Sequence, residues 1–144
     1  MTERENEIVI KKIVEAWNRH DQEAFMSHLS DDVTIVWPSG RTVDKEGLRK
    51  EFDYSTFPDG RFRVDRMVSQ DDTVWVESTF TGTNKGDWFR IPATNKTVEY
   101  PEVDIYDFDG GGKVKLFKLY FPRLRLLNQF NEQAVGELWD KMRK

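Results

Sequence analysis

The chain has 144 residues and a net charge of -4, with its cations scattered rather than banked on one segment. Nothing in it is suited to neutralising a phosphate backbone, and nucleic acid is not expected as a partner. Cysteine is absent, which excludes structural disulfides, thiolate nucleophiles and thiolate metal sites. The start, MTERENEIVIKK, is charged where a signal peptide needs an apolar core, and no apolar run approaches the roughly 20 residues of a membrane span, so the expectation is a soluble cytoplasmic protein with no membrane partner.

The first segment reads as a helix. Thr2 and Glu5 fit a capping box, and Ile8, Val9, Ile13, Val14 and Trp17 then recur at helical spacing up to His20. Asp21 caps a second, short helix carrying Phe25, Met26 and Leu29. A β-prone run from Val33 to Trp37 stops at the turn PSG, Asp44 caps a third helix through Phe52, and FPDG at 57 to 60 is a turn. From Arg61 the period changes. Strands are predicted at about 62–69, 73–83, 96–108 and 113–121, the last two joined by DGGG at 109 to 112. Helices first and long antiparallel strands afterwards make an α+β domain with its helices on one face of a sheet.

Two strands are apolar on both faces. In KVKLFKLYF one parity offers Phe117, Leu119 and Phe121 and the other Val114, Leu116 and Tyr120; in the strand from 73, Val74, Val76 and Phe80 oppose Trp75. A sheet covered on one side alternates apolar and polar, so both faces should be covered, and a homodimer through the sheet is the economical second layer. The tail, NEQAVGELWDKMR, carries a stripe of Ala134, Val135, Leu138, Trp139 and Met142, which reads as a helix docked on the parent domain or its partner.

The stretch PEVDIYDF, residues 101 to 108, raises the functional question. Its alternation puts Glu102, Asp104, Tyr106 and Phe108 on one face. That face is either wet surface or the wall of a pocket that uses an acid. Five Trp and ten Phe in the chain need a core, a pocket or an interface to line.

The strings FPD at 57 to 59, GTNKGDWFRIPATNKTV at 82 to 98, DGGGKV at 109 to 114 and LLNQF at 126 to 130, in that order and spacing, resemble the nuclear transport factor 2-like superfamily and, within it, the SnoaL-like polyketide cyclases. The resemblance covers residues 1–130 as one domain, with 131–144 as a C-terminal helical extension. It implies a strongly curved sheet wrapped over the N-terminal helices as a cone, a cystatin-like roll around an internal apolar cavity, paired as a homodimer through the sheet. SnoaL-like cyclases use an Asp on the last strand before the LLxQ segment; here that stretch reads LYFPRLRLLNQF, with Tyr120, Phe121 and Pro122 and no carboxylate. Asn84 stands where the family commonly has histidine. Ketosteroid isomerases, another branch, place a donor acid before a Gly-rich hairpin, and VDIYDFDGGGKV is similar to that segment, with Asp104 at the acid's position. Their tyrosine and their base fall at Ile13 and Trp37.

The resulting expectation is a protein that binds a small, largely apolar carbonyl compound, polyketide-like or a cyclic metabolite. Asp104 is the candidate proton-transfer residue and Glu102 a second carboxylate, with Lys118 as a possible ion-pair partner. Trp17, Trp37, Tyr100, Phe117, Leu119 and Phe121 are candidate ligand-lining residues, although a Trp at core spacing is also simply a core residue. Buried among rings, Asp104 would hold its proton to unusually high pH; on a wet strand it would be an ordinary surface acid. The chemistry in view is cyclisation or isomerisation without a cofactor; the alternatives are a non-catalytic binding module and a dimeric association domain. His20 and His28 fall at helix ends and share no metal-ligand spacing, so no metal is expected.

Overall fold

A computed structural model describes residues 1–88 and 91–144; Phe89 and Arg90, inside the 82–98 string, lie outside the described residues. Helix α1 (Glu3–Asn18) opens with the capping box: Thr2 accepts from the Glu5 backbone N–H at 3.1 Å, while the Glu5 carboxylate accepts from the Thr2 backbone N–H at 2.7 Å. Its buried face is Asn6, Ile10, Ile13 and Ala16. Helix α2 (Gln22–Ser27) starts where Asp21 accepts from the Ala24 N–H, and α3 (Lys45–Glu51) where Asp44 accepts from the Gly47 N–H. All three starts are placed by short polar caps that satisfy otherwise orphaned N–H groups.

The strands are β1 (Leu29–Val36), the two-residue β2 (Thr42–Val43), β3 (Arg61–Gln70), β4 (Thr73–Thr83), β5 (Thr97–Phe108) and β6 (Val114–Tyr120). They form one curved, unclosed sheet in the order β2-β1-β6-β5-β4-β3. Register shifts between Val64 and Arg66, between Asp107 and Phe108, and between Leu29 and Thr34 mark the irregularities that let such a sheet bend. The β5–β6 hairpin closes with the Gly112 N–H donating to the Asp109 carbonyl, and Gly112 takes a φ of +80°, a conformation only glycine adopts freely.

Several features depart from the sequence reading. The sheet is not wholly antiparallel: β1 runs parallel to β6. Side-chain alternation carries no information about strand direction, and these two strands are too distant in sequence for a turn to reveal their pairing. Strand β1 begins at Leu29, not Val33, because Asp31 and Asp32 sit exposed within it while Leu29 and Ser30 are buried. The shift near Phe108 also moves Val114 into the core together with Phe117, two positions of opposite parity.

Helix α4 (Arg123–Phe130) and helix α5 (Glu132–Met142) complete the chain. Leu126 and Phe130 of α4 are buried, and Gln129 clamps β5 by accepting from the Glu99 N–H and donating to the Glu99 carbonyl, both at 2.8 Å. The apolar stripe on α5 does not dock on the parent domain. No α5 residue is buried, and Leu138, Trp139 and Met142 stay exposed. Two hydrophobic clusters hold the molecule, one between α1 and the sheet around Ile13, Val76 and Phe108, the other around Phe80, Tyr100 and Phe130; Trp17 packs against both. Among the described residues no helix is long and apolar enough to cross a membrane.

Candidate functional site

The concave face of the sheet is built by β4 and β5 in register. Phe80 pairs with Tyr100, Ser78 with Glu102, Val76 with Asp104 and Val74 with Tyr106; on the other side of β5, Asp104 pairs with Leu119 and Tyr106 with Phe117. Residues directly opposite each other share a face, so two carboxyl groups two residues apart stand between tyrosines in a field of apolar neighbours. Glu102 is 4 % exposed and Asp104 8 %. The wet-surface reading of PEVDIYDF is therefore wrong: Val98, Tyr100, Glu102, Asp104, Tyr106 and Phe108 form one continuous buried face.

A pocket of about 650 Å³ opens against this face, within the usual size range of a small-molecule site. Trp17, Trp37, Tyr100, Glu102, Asp104, Phe117, Leu119 and Phe121 all line it. The surrounding rings fix its shape: Tyr106 stacks on Phe117 with centroids 4.5 Å apart, and Phe80 meets Trp17, Phe57, Phe62 and Tyr100 at 4.9 to 5.9 Å. Arg41, also on the pocket wall, is held by a bidentate ion pair to Glu51 at 2.7 and 3.0 Å and lies over the Trp37 ring.

Burial away from water pushes both carboxyl groups up, Glu102 to about 7 and Asp104 well above the usual carboxylate range, where the neighbouring Glu102 charge and its hydrogen bond add to the effect. The two titrate as a unit. Both groups therefore hold their protons to higher pH than an ordinary carboxyl does. Lys118 pairs in register with Ile105 and so lies on the opposite face from Asp104, which removes it as a partner for Glu102. Asp104 Oδ1 is buried with no hydrogen-bond partner in the protein. Burial, with the adjacent carboxyl charges, likewise holds Tyr100 and Tyr106 protonated far above their ordinary range.

Tyr54 escaped the sequence reading. It lies in the irregular segment between α3 and β3, where no periodicity assigns a face, yet it lines the pocket and stacks on His20 at 4.2 Å. Asn84 has a structural explanation: fully buried, it donates to the Gly86 carbonyl at 2.8 Å and accepts from the Thr94 N–H and hydroxyl at 2.8 and 2.9 Å, tying down the loop after β4. Among the described residues no group of three potential ligands is gathered to hold a metal ion.

The profile of the SnoaL-like domain matches residues 10–117, three quarters of the chain. The chain belongs to the SnoaL-like domain family. Solved structures agree in fold. AclR, a proposed hydroxylase from Streptomyces galilaeus, superposes with a TM-score of 0.82 at 24% identity, covering 91% of this chain and 98% of its own. IdmH, a proposed polyketide cyclase from Streptomyces antibioticus, gives 0.76 at 21% identity over 86% and 96% of the two chains. A nuclear transport factor 2-like protein of unknown function from Burkholderia pseudomallei gives 0.73 at 16% identity over 91% and 99%. At these identities the likeness establishes the fold of this SnoaL-like domain, and its function has to be argued from its own site. No curated protein sequence matches it significantly.

Proposed function

We propose that this SnoaL-like domain binds a small ring-containing carbonyl compound in the pocket and moves a proton at the carbon beside the carbonyl, as an isomerisation or cyclisation requires. The observation that carries this reading is the pair of buried carboxyl groups on the pocket wall, one of them with an unpaired oxygen. With one proton between them, one group is a base and the other an acid. Asp104 lies between Val76 and Leu119 in register, and the apolar surroundings favour transfer of charge onto the substrate rather than its retention on the protein. Solved relatives described as proposed polyketide cyclases share the fold, which agrees with a cyclic or cyclising substrate. The stretch Tyr120-Phe121-Pro122 offers no acid, so the proton chemistry falls to β5.

The test is deuterium exchange at the α-carbon of 1-tetralone in D₂O, followed by proton NMR. Wild-type protein is expected to accelerate exchange, with a rate that rises with pH toward about 7 as the pair yields its first proton. A ketone that binds without accelerated exchange would make the domain a binding module.

The convex face supports self-association. Val68, Trp75 and Tyr120 are each at least half exposed there, with Val68 beside Trp75, Trp75 beside Ile105, and Tyr120 beside Val103 in register. In the proposed homodimer this face is the contact. Trp75→Glu is expected to shift sedimentation at micromolar concentration from dimer to monomer, and a wild-type monomer would refute the pairing.

A further inference from the structure

Strand β5 brings four polar side chains to the pocket in one row, Tyr100, Glu102, Asp104 and Tyr106, all on its buried face and all on the pocket wall. Residues two apart on one face of a strand rise from it about 6.5–7 Å apart. Each tyrosine therefore flanks one carboxyl. The Glu102 charge acts most strongly on Tyr100 and the Asp104 charge on Tyr106, as that order requires. Proton transfer by the carboxyl pair leaves both phenols without a task.

A tyrosine buried to this degree ordinarily finds a partner for its hydroxyl. Among the described residues neither of these two hydroxyls is hydrogen-bonded within the protein, and neither belongs to the unpartnered side-chain atoms sealed from open space, as the Tyr54 hydroxyl does. Both tips therefore meet the open volume of the pocket. Burial and the adjacent carboxyl charges keep both phenols protonated far above their ordinary range, so each acts as a donor. Tyr106 is also fixed in place: its ring lies on Phe117 at 4.5 Å and 13° between planes, and β5 seats it in register between Val74 and Phe117. A donor held still in an apolar wall acts on developing charge without first having to reorient.

Removing a proton beside a carbonyl puts charge on the carbonyl oxygen, about 2.4 Å from the carbon that lost it. A base on that carbon and a donor on that oxygen, each within hydrogen-bond reach, stand up to roughly 8 Å apart. The step from Asp104 to Tyr106 along β5 is of that size, whereas Tyr100 lies four residues from Asp104, about 13 Å along the strand. We infer that Tyr106 is a further catalytic residue of this site, its hydroxyl donating to the carbonyl oxygen of the ketone while Asp104 takes the proton from the adjacent carbon. This rests on the proton-transfer reading and adds the group that meets the developing charge. With the shared proton on Glu102, Asp104 is the base. The C–H electron pair becomes the C=C bond of the enolate, the carbonyl π pair moves to oxygen, and the proton passes to the Asp104 carboxylate. Tyr106 keeps its own proton and holds the enolate oxygen by a hydrogen bond until a hydrogen returns to carbon.

The experiment follows α-deuterium exchange of 1-tetralone with wild-type protein, Tyr106→Phe and Tyr100→Phe, near-ultraviolet circular dichroism checking that each variant is folded. Phenylalanine keeps the ring and removes only the hydroxyl. Tyr106→Phe is expected to lower exchange about a hundredfold, the scale of losing one preorganised donor, and Tyr100→Phe less than about threefold. A second reading is the carbonyl carbon resonance of carbon-13-labelled 1-tetralone. Binding to wild type and to Tyr100→Phe should move it downfield, as a hydrogen bond to the oxygen does, and binding to Tyr106→Phe should move it much less. Exchange undiminished in Tyr106→Phe, an equal loss in both variants, or the same carbonyl shift in Tyr106→Phe as in wild type overturns the inference and leaves the proton-transfer reading standing. No downfield movement in the wild-type complex overturns it without recourse to any variant. Ketone bound to wild type without accelerated exchange overturns both.

Discussion

Asp104→Asn is expected to lower tetralone exchange by at least about a hundredfold, the usual scale for losing a positioned acid or base, while ketone affinity falls much less. An amide N–H can still donate to Glu102 as a protonated carboxyl would, so the wall survives while the proton to be transferred is lost. The same substitution has a stability signature. Burial raises the Glu102 carboxyl from its ordinary 4.5 to about 7 and raises Asp104 well above its own ordinary value. Over that range the folded protein keeps protons that the unfolded chain has released, so stability is fully present below about 4.5 and falls as pH rises through the folded-state values. The Glu102 displacement alone is equivalent to about 3 kcal/mol. Wild type should lose stability from about pH 4.5 through 7 and beyond, whereas Asp104→Asn should lose less and be the more stable protein above about pH 7. Urea titrations at a series of pH values read this directly; parallel curves for the two proteins would exclude a buried Asp104. Asp53, Asp59 and Asp65 work in the other direction. Hydrogen bonds from Ser55, Thr83 and Thr79 lower their values, so what they contribute is lost only as pH falls through the acid range, and the maximum of stability is expected near about pH 4 to 5.

The largest loss of stability is expected from Phe80→Ala, about 3–5 kcal/mol in urea unfolding. Phe80 is 2 % exposed and meets Trp17, Phe57, Phe62 and Tyr100 within 5.9 Å. The backbone is shaped around it. A Cβ added at Gly60 or Gly82 would stand 3.0 or 3.1 Å from Phe80 Cζ, so those glycines admit the ring. Truncation would leave a ring-sized void beside the pocket, where rigid neighbours limit collapse. A loss below about 1 kcal/mol would mean that the aromatic cluster is loosely packed and that the pocket's shape does not depend on it.

Much of this arrangement is legible in the chain. The caps at Thr2, Asp21 and Asp44 announce their helices because a short side chain followed by an apolar period has few other uses. The faces of β4 and β5 are legible because a strand repeats every two residues, and that period alone puts Glu102 and Asp104 on the same side as Tyr106 and Phe108. Their burial is not, since alternation does not say which side of a sheet is dry when both sides carry rings. The resemblance to the SnoaL-like group supplied the family, and the profile match over 10–117 establishes it. What stayed hidden depends on distant contacts. The parallel β1–β6 pairing, the bulge that brings Val114 into the core and the Gln129 clamp on Glu99 leave no local period. Tyr54 reaches the pocket from a segment without regular structure, so its role emerges only once α1 and α3 are packed against the sheet. The α5 stripe shows the converse: its helical period is plain, and nothing in this chain buries it.

The proton-transfer reading requires Glu102 and Asp104 to share a proton in a dry pocket. Carbon-detected NMR titration of the Glu102 and Asp104 carboxyl groups, assigned with Asp104→Asn and Glu102→Gln, measures that claim most directly. The expected result is no transition near the ordinary carboxylate value of about 4, a first proton lost near about pH 7 with both resonances responding, and a second lost only at higher pH. Two independent transitions near about 4 would show both acids facing water, and the proton-transfer reading would fall with them.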